Sequence, residues 1–272
     1  MGLKINEIHQ GNCLELLRLI DDRSIHLIFT SPPYNCGIKY DVYNDNKKLE
    51  DYFAFMKQVF TEVYRVLVSG GRIAVNIPEA IQSGEGKDKK IIFVGTYFQK
   101  IFDEVGFITR EHITWIKGYN ENNFQGNNTA WGSWKSPSNP YMRSLTEKVV
   151  VLSKETLKLD GNGDETDLTA DEFKEWTKNC WFVPTDSSKD HPATFPFDLA
   201  KRVIKLYSWK HNTVMDIFSG RGTTCIMAKK LGRNYIGLEL SENYCNISRK
   251  ALNEIMSEVE VKKQEEDVMG MF

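Results

Sequence analysis

The stretch NTVMDIFSGRGTTCIMAKKLGRNYIGLEL, residues 212–240, predicts a strand, a tight turn, a helix and a second strand. Gly220 and Gly222 in the turn permit backbone conformations that other residues avoid, and the helix behind the turn presents free amide groups. Asp216 precedes the glycines, and Glu239 ends the second strand, where an acid suits ribose hydroxyls. The stretch therefore predicts a site for a nucleotide-like ligand.

The glycine pair by itself is also compatible with an ordinary tight turn between a strand and a helix. Cys225 stands where the NAD-binding fingerprint has its third glycine, so the stretch does not match that fingerprint. The strand–turn–helix–strand context and the two flanking acids favour the ligand site over the ordinary turn.

Along the rest of the chain, segments with the period of a strand alternate with segments with the period of a helix. Residues 52–66 carry apolar side chains at helical spacing, and we expect the Ser-Gly-Gly sequence at 69–71 to end that helix. Residues 91–106 predict a further helix that ends at Gly106, and REHITWI and EKVVVL predict two strands. This alternation is typical of an α/β fold, a doubly wound and mostly parallel sheet with helices on both faces.

Composition sets wide limits on function. The chain has 272 residues, a formal net charge of −2 and 41% hydrophobic residues, as expected for an ordinary globular protein. This charge neither supports nor excludes a nucleic acid partner. The five cysteines are scattered without a CxxC pair, which argues against a zinc site or disulfides and suits a reducing cytosol. With no apolar run long enough to span a membrane and no signal-peptide core, we expect a cytoplasmic protein without a membrane partner.

A second unusual stretch, IFTSPPYNCG at 28–37, places two prolines between a serine and a tyrosine. Proline cannot donate to a strand ladder, so Pro32 and Pro33 must end the strand that precedes them. The result is a rigid elbow with a hydroxyl group on one side and a phenol ring on the other. Without the glycine loop, we would interpret these residues as a turn serine and a half-buried tyrosine.

Together, TSPPYN and DIFSGRGTT resemble two motifs of the DNA amino-methyltransferases that use S-adenosylmethionine. The first resembles the catalytic motif (S/D/N)-P-P-(Y/F), and the second resembles the cofactor loop D-P-F-x-G-x-G-T-T, with Ile217 in place of its proline. HPATFPFDLAKRVIKLYS and RSLTEKVVVLSK resemble two further family segments. The catalytic motif comes before the cofactor loop, which is the order of the beta group, a circular permutation of the Rossmann-like methyltransferase sheet. We therefore expect this permuted fold, with INEIHQGNC as a strand beside the strand that ends in Glu239.

The resemblance implies S-adenosylmethionine as the cofactor and no metal. It implies that the adenine ring meets Asn12 and Cys13, although family members often have Asp in the position of Asn12. From the residue alone, Cys13 predicts a small buried hydrophobe. The other implied cofactor-binding residues are Phe195, Asp216, Phe218, Ser219, Gly220, Gly222, Thr223, Thr224 and Glu239.

The resemblance also assigns catalysis to Ser31, Pro32 and Tyr34. Methylation of an exocyclic amino group needs no covalent intermediate, because acceptors on the two N–H bonds free the nitrogen lone pair for in-line attack on the methyl group. The implied acceptors are the Ser31 Oγ and the Pro32 carbonyl, both held in place by the elbow. The Tyr34 ring is expected to stack on a base that has been flipped out of the duplex.

The first residue of the catalytic motif predicts the target. Family members with Ser there mostly methylate cytosine N4, whereas Asp or Asn is typical of adenine N6. Ser31 therefore favours cytosine N4 in duplex DNA, with adenine N6 as the alternative. Carbon-5 methylation needs a cysteine nucleophile after a proline, and the chain has no Pro-Cys pair. The motif order argues against an RNA or protein methyltransferase, and the intact motifs argue against an inactive DNA-binding module.

We expect three parts along the chain: 1–154 as the catalytic part of the methyltransferase domain, 155–190 as an insertion and candidate target-recognition region, and 191–272 as the cofactor-binding part. The acidic stretch 160–175 predicts solvated surface. Residues 117–145, rich in Asn, Gly, Ser, Pro and Trp, predict a long loop.

That loop supplies the candidate DNA contacts Lys135, Ser136 and Arg143. Double-stranded DNA is the partner that the resemblance implies. A homodimer, and a cognate restriction endonuclease that acts on the same site in a bacterial or archaeal cell, are left open as further partners.

Overall fold

The computed structural model describes residues 2–83, 90–120, 123–124, 132–140, 142, 144–161, 163, 166–186 and 195–269, without the side chains of 83, 123–124 and 256–269. The helices and strands are, in chain order, β1 (Glu7–Gln10), α1 (Cys13–Leu17), β2 (Ile25–Thr30), α2 (Leu49–Val66), β3 (Leu67–Pro78), β4 (Ile81–Ser83), β5 (Lys90–Ile92), α3 (Val94–Val105), β6 (Ile108–Asn120), β7 (Asn123–Phe124), β8 (Thr146–Ser153), α4 (Ala170–Trp176), β9 (Cys180–Val183), α5 (Phe197–Tyr207), β10 (Thr213–Asp216), α6 (Thr223–Lys230), β11 (Asn234–Glu239) and α7 (Glu242–Met269).

One large sheet organises the molecule, with the strand order β1-β11-β10-β2-β3-β8-β6-β7 and with β9 paired to β6. The strands from β1 to β3 in this order run parallel to one another. β8 is antiparallel to both of its neighbours, whereas β9 runs parallel to β6. The predicted fold class, a doubly wound and mostly parallel α/β sheet, is confirmed.

The N-terminal strand occupies the predicted place at the edge of the sheet. β1 pairs in parallel with β11, from Glu7 opposite Ile236 to Gln10 opposite Glu239. The first and last strands along the chain are therefore neighbours in space. The circular permutation that the family resemblance implies stays a prediction.

Helices cover both faces of the sheet and bury two separate apolar clusters. One cluster contains residues of α1, α2 and α3, including Met56 and Phe98. The other contains residues of α5, α6 and α7, including Val203 and Cys225. Because both faces are covered, the central strands are apolar along their length, as in other parallel sheets. The described part of the chain contains no helix long and apolar enough to cross a membrane.

Two of the predicted glycine stops have different outcomes. Gly106 ends α3 in the left-handed conformation, with φ of 99°, as predicted. The predicted helix stop at 69–71 is wrong, because α2 ends at Val66 and these residues lie inside β3. A Cβ atom at Gly70 would come within 1.9 Å of the Lys158 carbonyl oxygen, so this glycine permits the close approach of another segment.

Two other predicted boundaries change, and the predicted insertion contributes a strand to the main sheet. The helix predicted from residue 91 begins at Val94, because 90–92 pair with β4 in a small second sheet. The predicted loop 117–145 begins as strand, since β6 continues to Asn120. The predicted insertion 155–190 contains β9, which adds to the main sheet by pairing with β6, from Cys180 opposite Thr114 to Val183 opposite Lys117. The division of the chain into three parts stays a prediction.

The acidic stretch 160–175 is mostly exposed where it is described, as predicted for a solvated surface. Asp167 is an exception, because its carboxylate accepts hydrogen bonds from the buried guanidinium of Arg233, one of them at 2.9 Å. A buried arginine needs such a partner, so this acid contributes to the stability of the fold.

Candidate active site

A cavity of about 230 Å³ opens at the carboxyl ends of β1, β11, β10 and β2. Ligands of open α/β sheets bind at this edge, because the loops that follow parallel strands meet there. The residues predicted from sequence that line the cavity are Asn12, Cys13, Ser31, Pro32, Tyr34, Phe195, Asp216, Phe218, Ser219, Gly220, Thr223 and Glu239. The fold therefore brings the proline elbow and the glycine loop, which are distant in sequence, into one cavity.

Two predicted cofactor residues, Gly222 and Thr224, are buried behind the cavity wall. Gly222 is the N-cap of α6, with φ of 83°, and a Cβ atom there would come within 2.9 Å of the Ser248 Oγ on α7. The Thr224 hydroxyl donates to Asp216 at 2.9 Å. Both residues therefore shape the loop and its packing against neighbouring elements.

The predicted DNA contacts are separate from the cavity wall. Lys135 is exposed and Ser136 is half-buried, and neither lines the cavity. The Lys135 Nζ lies 5.7 Å from the centre of the Trp134 ring. Arg143 lies outside the described residues. The assignment of all three to DNA binding stays a prediction.

Asp216 fixes the start of the glycine loop from a fully buried position at the end of β10. Its carboxylate accepts hydrogen bonds from the Thr30 hydroxyl at 2.7 Å, the Phe218 backbone amide at 3.1 Å and the Thr224 hydroxyl at 2.9 Å. Burial raises the pKa of Asp216 to about 6, although these three donors favour the charged form. This acid joins three segments around the cavity.

Glu239 fixes the other side of the loop. Its two carboxylate oxygens accept from the backbone amides of Gly220, at 2.7 Å, and Ser241, at 2.8 Å. Burial raises the pKa of this carboxyl group above its ordinary value. Because an ionised carboxylate oxygen can accept more than one hydrogen bond, Glu239 retains capacity for hydroxyl groups of a ligand in the cavity.

The N-terminus of α1 forms a further part of the wall. The Asn12 side chain accepts from the Leu14 backbone amide at 2.9 Å and caps this helix. Cys13 is buried, and burial raises the pKa of its thiol to about 12. The thiol therefore stays protonated and unreactive near neutral pH. Asn12 thus has a structural partner that the sequence did not reveal.

α2 supports the proline elbow from behind. Pro32 is buried, and the carbonyl of Pro33 accepts a hydrogen bond from the Tyr52 hydroxyl at 2.8 Å. Tyr52 itself is fully buried in the apolar cluster that α1, α2 and α3 form on one face of the sheet. The backbone of the elbow is therefore fixed both by its proline rings and by a tertiary hydrogen bond.

The elbow side chains enter a network that no motif predicts. The Ser31 Oγ lies 2.8 Å from the Tyr34 hydroxyl and 3.2 Å from the Asn76 carbonyl oxygen. The Tyr34 hydroxyl donates to Glu147 at 3.0 Å, and the Asn76 Nδ2 lies within 3.0 Å of Tyr34 and 2.6 Å of Glu147. Lys117 donates to the other oxygen of Glu147 at 2.5 Å. Burial, and then the Glu147 charge, raise the pKa of Tyr34 well above its ordinary value.

A loop after the elbow supplies cavity residues that the sequence analysis missed. Tyr40, Tyr43 and Lys47 line the cavity. The loop is held by the buried Asp45 carboxylate, which accepts from three backbone amides of the segment 35–38. The high aromatic content of KYDVY directly behind the elbow was the available signal for these residues.

The polar groups of the wall fit a polar ligand. Among the residues that the structure describes, the Ser219 Oγ and the Tyr43 hydroxyl are buried without a hydrogen-bond partner, and both residues line the cavity. Buried hydroxyl groups are normally satisfied, so unpaired ones in a cavity wall indicate a ligand that supplies the partners. Hydroxyl, amino and carboxylate groups of S-adenosylmethionine are suitable partners.

The chain matches the family model described as DNA methylase (N6_N4_Mtase) over residues 25–250. It is 38% identical over 171 residues to the type II methyltransferase M.MjaVI of Methanocaldococcus jannaschii, which covers 63% of this chain and 82% of that protein. It is 28% identical over 284 residues to the type II methyltransferase M1.MboII of Moraxella bovis, which covers 93% of this chain and 98% of that protein.

Many solved structures share the fold, and two of them are compared with this chain. TTHA0409 of Thermus thermophilus, solved in complex with S-adenosyl-L-methionine, gives a TM-score of 0.73 at 22% identity and covers 91% of this chain and 93% of that one. The cytosine-N4-specific PvuII DNA methyltransferase gives a TM-score of 0.69 at 22% identity and covers 92% of this chain and 87% of that one. The family match spans both the elbow and the glycine loop, so the chain belongs to the DNA methylase family, the amino-methyltransferases of DNA that use S-adenosylmethionine.

Proposed function

We propose that this chain methylates the N4 amino group of cytosine in duplex DNA after flipping the target base out of the helix. The observation that carries the proposal is the single cavity shared by Ser31 of the elbow and Glu239 of the glycine loop. A methyl donor and a flipped base must meet in one site, because the attack on the methyl group is in line. Adenine N6 methylation by the same site is the alternative.

The glycine loop and its neighbours would hold the cofactor. When bound, S-adenosylmethionine supplies an electrophilic methyl group. Glu239 accepts hydrogen bonds from ribose hydroxyls, and Asn12 and Cys13 contact the adenine ring. The unpaired hydroxyls of Ser219 and Tyr43 bind polar groups of the cofactor.

The elbow would orient the target amino group. The Ser31 Oγ and the Pro32 carbonyl accept from its two N–H bonds, which frees the nitrogen lone pair for attack. The Tyr34 ring, anchored through its hydroxyl, stacks on the flipped base and offsets part of the cost of extrusion. Preorganised acceptors of this kind contribute a large part of an enzyme's rate because they need no reorganisation during the reaction.

Two observations support cytosine as the target. Ser31 is the residue that favours cytosine N4 in the catalytic motif, and the PvuII neighbour with the same fold is cytosine-N4-specific. The exposed Lys135 and the neighbouring Ser136 would contact DNA phosphates and fix the register on the duplex.

The test is transfer of a tritiated methyl group from S-adenosylmethionine to unmethylated genomic duplex DNA, followed by digestion to nucleosides and separation. We expect the label in N4-methylcytosine. Label in N6-methyladenine would replace the proposal with its alternative. Label in RNA or protein but not in DNA would overturn both.

A further inference from the structure

The network behind the elbow points to a positioning residue that the catalytic motif does not contain. We propose that Glu147, acting through the Tyr34 hydroxyl, holds the Ser31 hydroxyl as a hydrogen-bond acceptor for the target amino group. The inference rests on the proposed function and deepens it, because it names what fixes the direction of the hydrogen bonds at Ser31. Glu147 does not line the cavity, so we assign it a positioning role without contact to the substrate.

The direction of the first hydrogen bond follows from the chemistry of the carboxylate. An ionised carboxylate only accepts hydrogen bonds. The Tyr34 hydroxyl lies 3.0 Å from the Glu147 Oε2, so the tyrosine donates its one proton to Glu147. The Asn76 Nδ2 lies 2.6 Å from the same oxygen, and this contact requires the amide to turn its nitrogen toward Glu147. That nitrogen is also 3.0 Å from the Tyr34 oxygen, which therefore accepts from it.

The direction at Ser31 follows in turn. Its Oγ lies 2.8 Å from the Tyr34 oxygen, whose proton is already committed to Glu147, so Ser31 must be the donor in that contact. The other contact of Ser31 is the Asn76 carbonyl oxygen at 3.2 Å, which is also an acceptor. Whether the Ser31 hydroxyl donates to the Tyr34 oxygen or to the Asn76 carbonyl oxygen, its proton points into the protein and away from the cavity. The lone pairs of Ser31 then remain for an N–H donor in the cavity.

The carboxylate is suited to hold this arrangement. Glu147 is 8% exposed, its carboxylate pairs with the Lys117 ammonium group at 2.5 Å, and it also accepts a hydrogen bond from the Asn76 amide. Partners on both of its oxygens fix the orientation of a buried carboxylate. Burial and the Glu147 charge raise the pKa of Tyr34, so the tyrosine keeps the proton that it donates. Without the carboxylate, the tyrosine proton would be free to turn toward Ser31.

Glu147 makes a contact that a purely structural ion pair would not need, the hydrogen bond to Tyr34. Glu147 joins β8 to β6 through Lys117, which would stabilise the sheet in any protein. The contact with Tyr34, 113 residues away in sequence, adds a connection to the elbow at the end of β2. Stabilisation of the sheet by the ion pair with Lys117 does not require the Tyr34 hydroxyl, whereas positioning of Ser31 does. The two roles of Glu147 therefore predict different effects of Tyr34→Phe on kcat.

The experiment is a double-mutant cycle with Glu147→Gln and Tyr34→Phe, read as kcat for methyl transfer to duplex DNA and as cofactor affinity by calorimetry. A glutamine has both a donor and an acceptor end, so it no longer fixes the direction of the tyrosine proton. Each single variant should lower kcat about 10-fold with unchanged affinity for S-adenosylmethionine. The double variant should be no slower than either single variant.

The matched control is Glu111→Gln. Glu111 accepts from another tyrosine hydroxyl, that of Tyr207, at 3.5 Å in the same sheet but away from the cavity. Its substitution should leave kcat unchanged.

Losses that multiply in the double variant would overturn the inference, and so would an unchanged kcat in Tyr34→Phe, a test that does not depend on the folding of the Glu147 variant. Failure of the proposed function is a separate result. It would appear as the absence of DNA methylation by the unaltered protein.

Discussion

The glycine loop and the proline elbow face the same cavity but are held in place in different ways. The loop is fixed by nearby acids, since Gly220 contacts Glu239 over 19 residues of sequence. The elbow backbone has a partner at the same separation, Tyr52, but its side chains are oriented by distant residues, since Tyr34 contacts Glu147 over 113 residues and Ser31 contacts Asn76 over 45. Asp216, at the start of the loop, also accepts from the distant Thr30 hydroxyl, but the contacts of Gly220 with Glu239 and of Asp216 with Thr224 lie within one strand–turn–helix–strand unit. The contacts that orient the Ser31 and Tyr34 side chains instead need strands from other parts of the chain.

This difference predicts that the two regions respond differently to substitution. Changes in the glycine loop should appear in cofactor affinity. Changes in the elbow should appear in the rate of methyl transfer at saturating cofactor, because we propose that the elbow binds the target amino group.

The largest effect is expected from Ser31→Ala in the elbow. Loss of one preorganised hydrogen-bonding group in an active site lowers turnover on the order of 10²–10³-fold. Affinity for S-adenosylmethionine, measured by calorimetry, should stay near that of the unaltered protein. A parallel loss of affinity and rate would show that the two regions are not separable in the way described.

A smaller effect is expected from Glu239→Ala in the loop. The backbone amides of Gly220 and Ser241 lose their acceptor, and the ribose hydroxyls of the cofactor lose the acceptor that we propose for them. Cofactor affinity should fall at least about 10-fold, as expected for the loss of charge-assisted hydrogen bonds. The matched control is Glu242→Ala, at the exposed start of α7, which should bind normally. Normal binding of S-adenosylmethionine by the Glu239 variant would contradict the assignment of this acid to the cofactor site.

The smallest effect concerns the pH dependence of stability. The pKa of Asp216 is raised from 3.8 to about 6 in the folded state, so between these values the folded protein binds a proton that the unfolded chain does not. The stability of the unaltered protein, minus that of Asp216→Asn, should therefore rise by about 1 kcal/mol as the pH falls from 7.5 to 5.5. Urea unfolding at several pH values measures this difference. A difference that is constant with pH, or that falls on acidification, would contradict the raised pKa.

The sequence was most informative where structure is local. The strand–turn–helix–strand unit at 212–240 and the helix end at Gly106 follow from short-range patterns. The pairing of the first strand with β11 is long-range, and it was expected from the family resemblance and its motif order. Gly70 was wrongly predicted to end a helix. A glycine is needed there because the backbone of Lys158, from a distant segment, approaches it closely. Such contacts leave no short-range trace in the sequence.

The same limit applies within the site. Ser31 and Tyr34 could be identified from the motif, but their partners could not. These partners lie on three different strands, Asn76 on β3, Lys117 on β6 and Glu147 on β8. None of them belongs to a sequence motif that would indicate a site. Register between β3, β6 and β8 brings them together, and that register depends on the packing of the whole sheet.

A crystal structure of the protein with S-adenosylhomocysteine, the demethylated product of the cofactor, would test most directly whether one cavity holds both cofactor and catalytic residues. We expect the ligand in the cavity at the carboxyl ends of β1, β11, β10 and β2, with its ribose at Glu239 and its sulfur directed toward Ser31 and Pro32. A ligand bound elsewhere, or one whose sulfur faces away from the elbow, would contradict the claim that one cavity joins cofactor and catalytic residues.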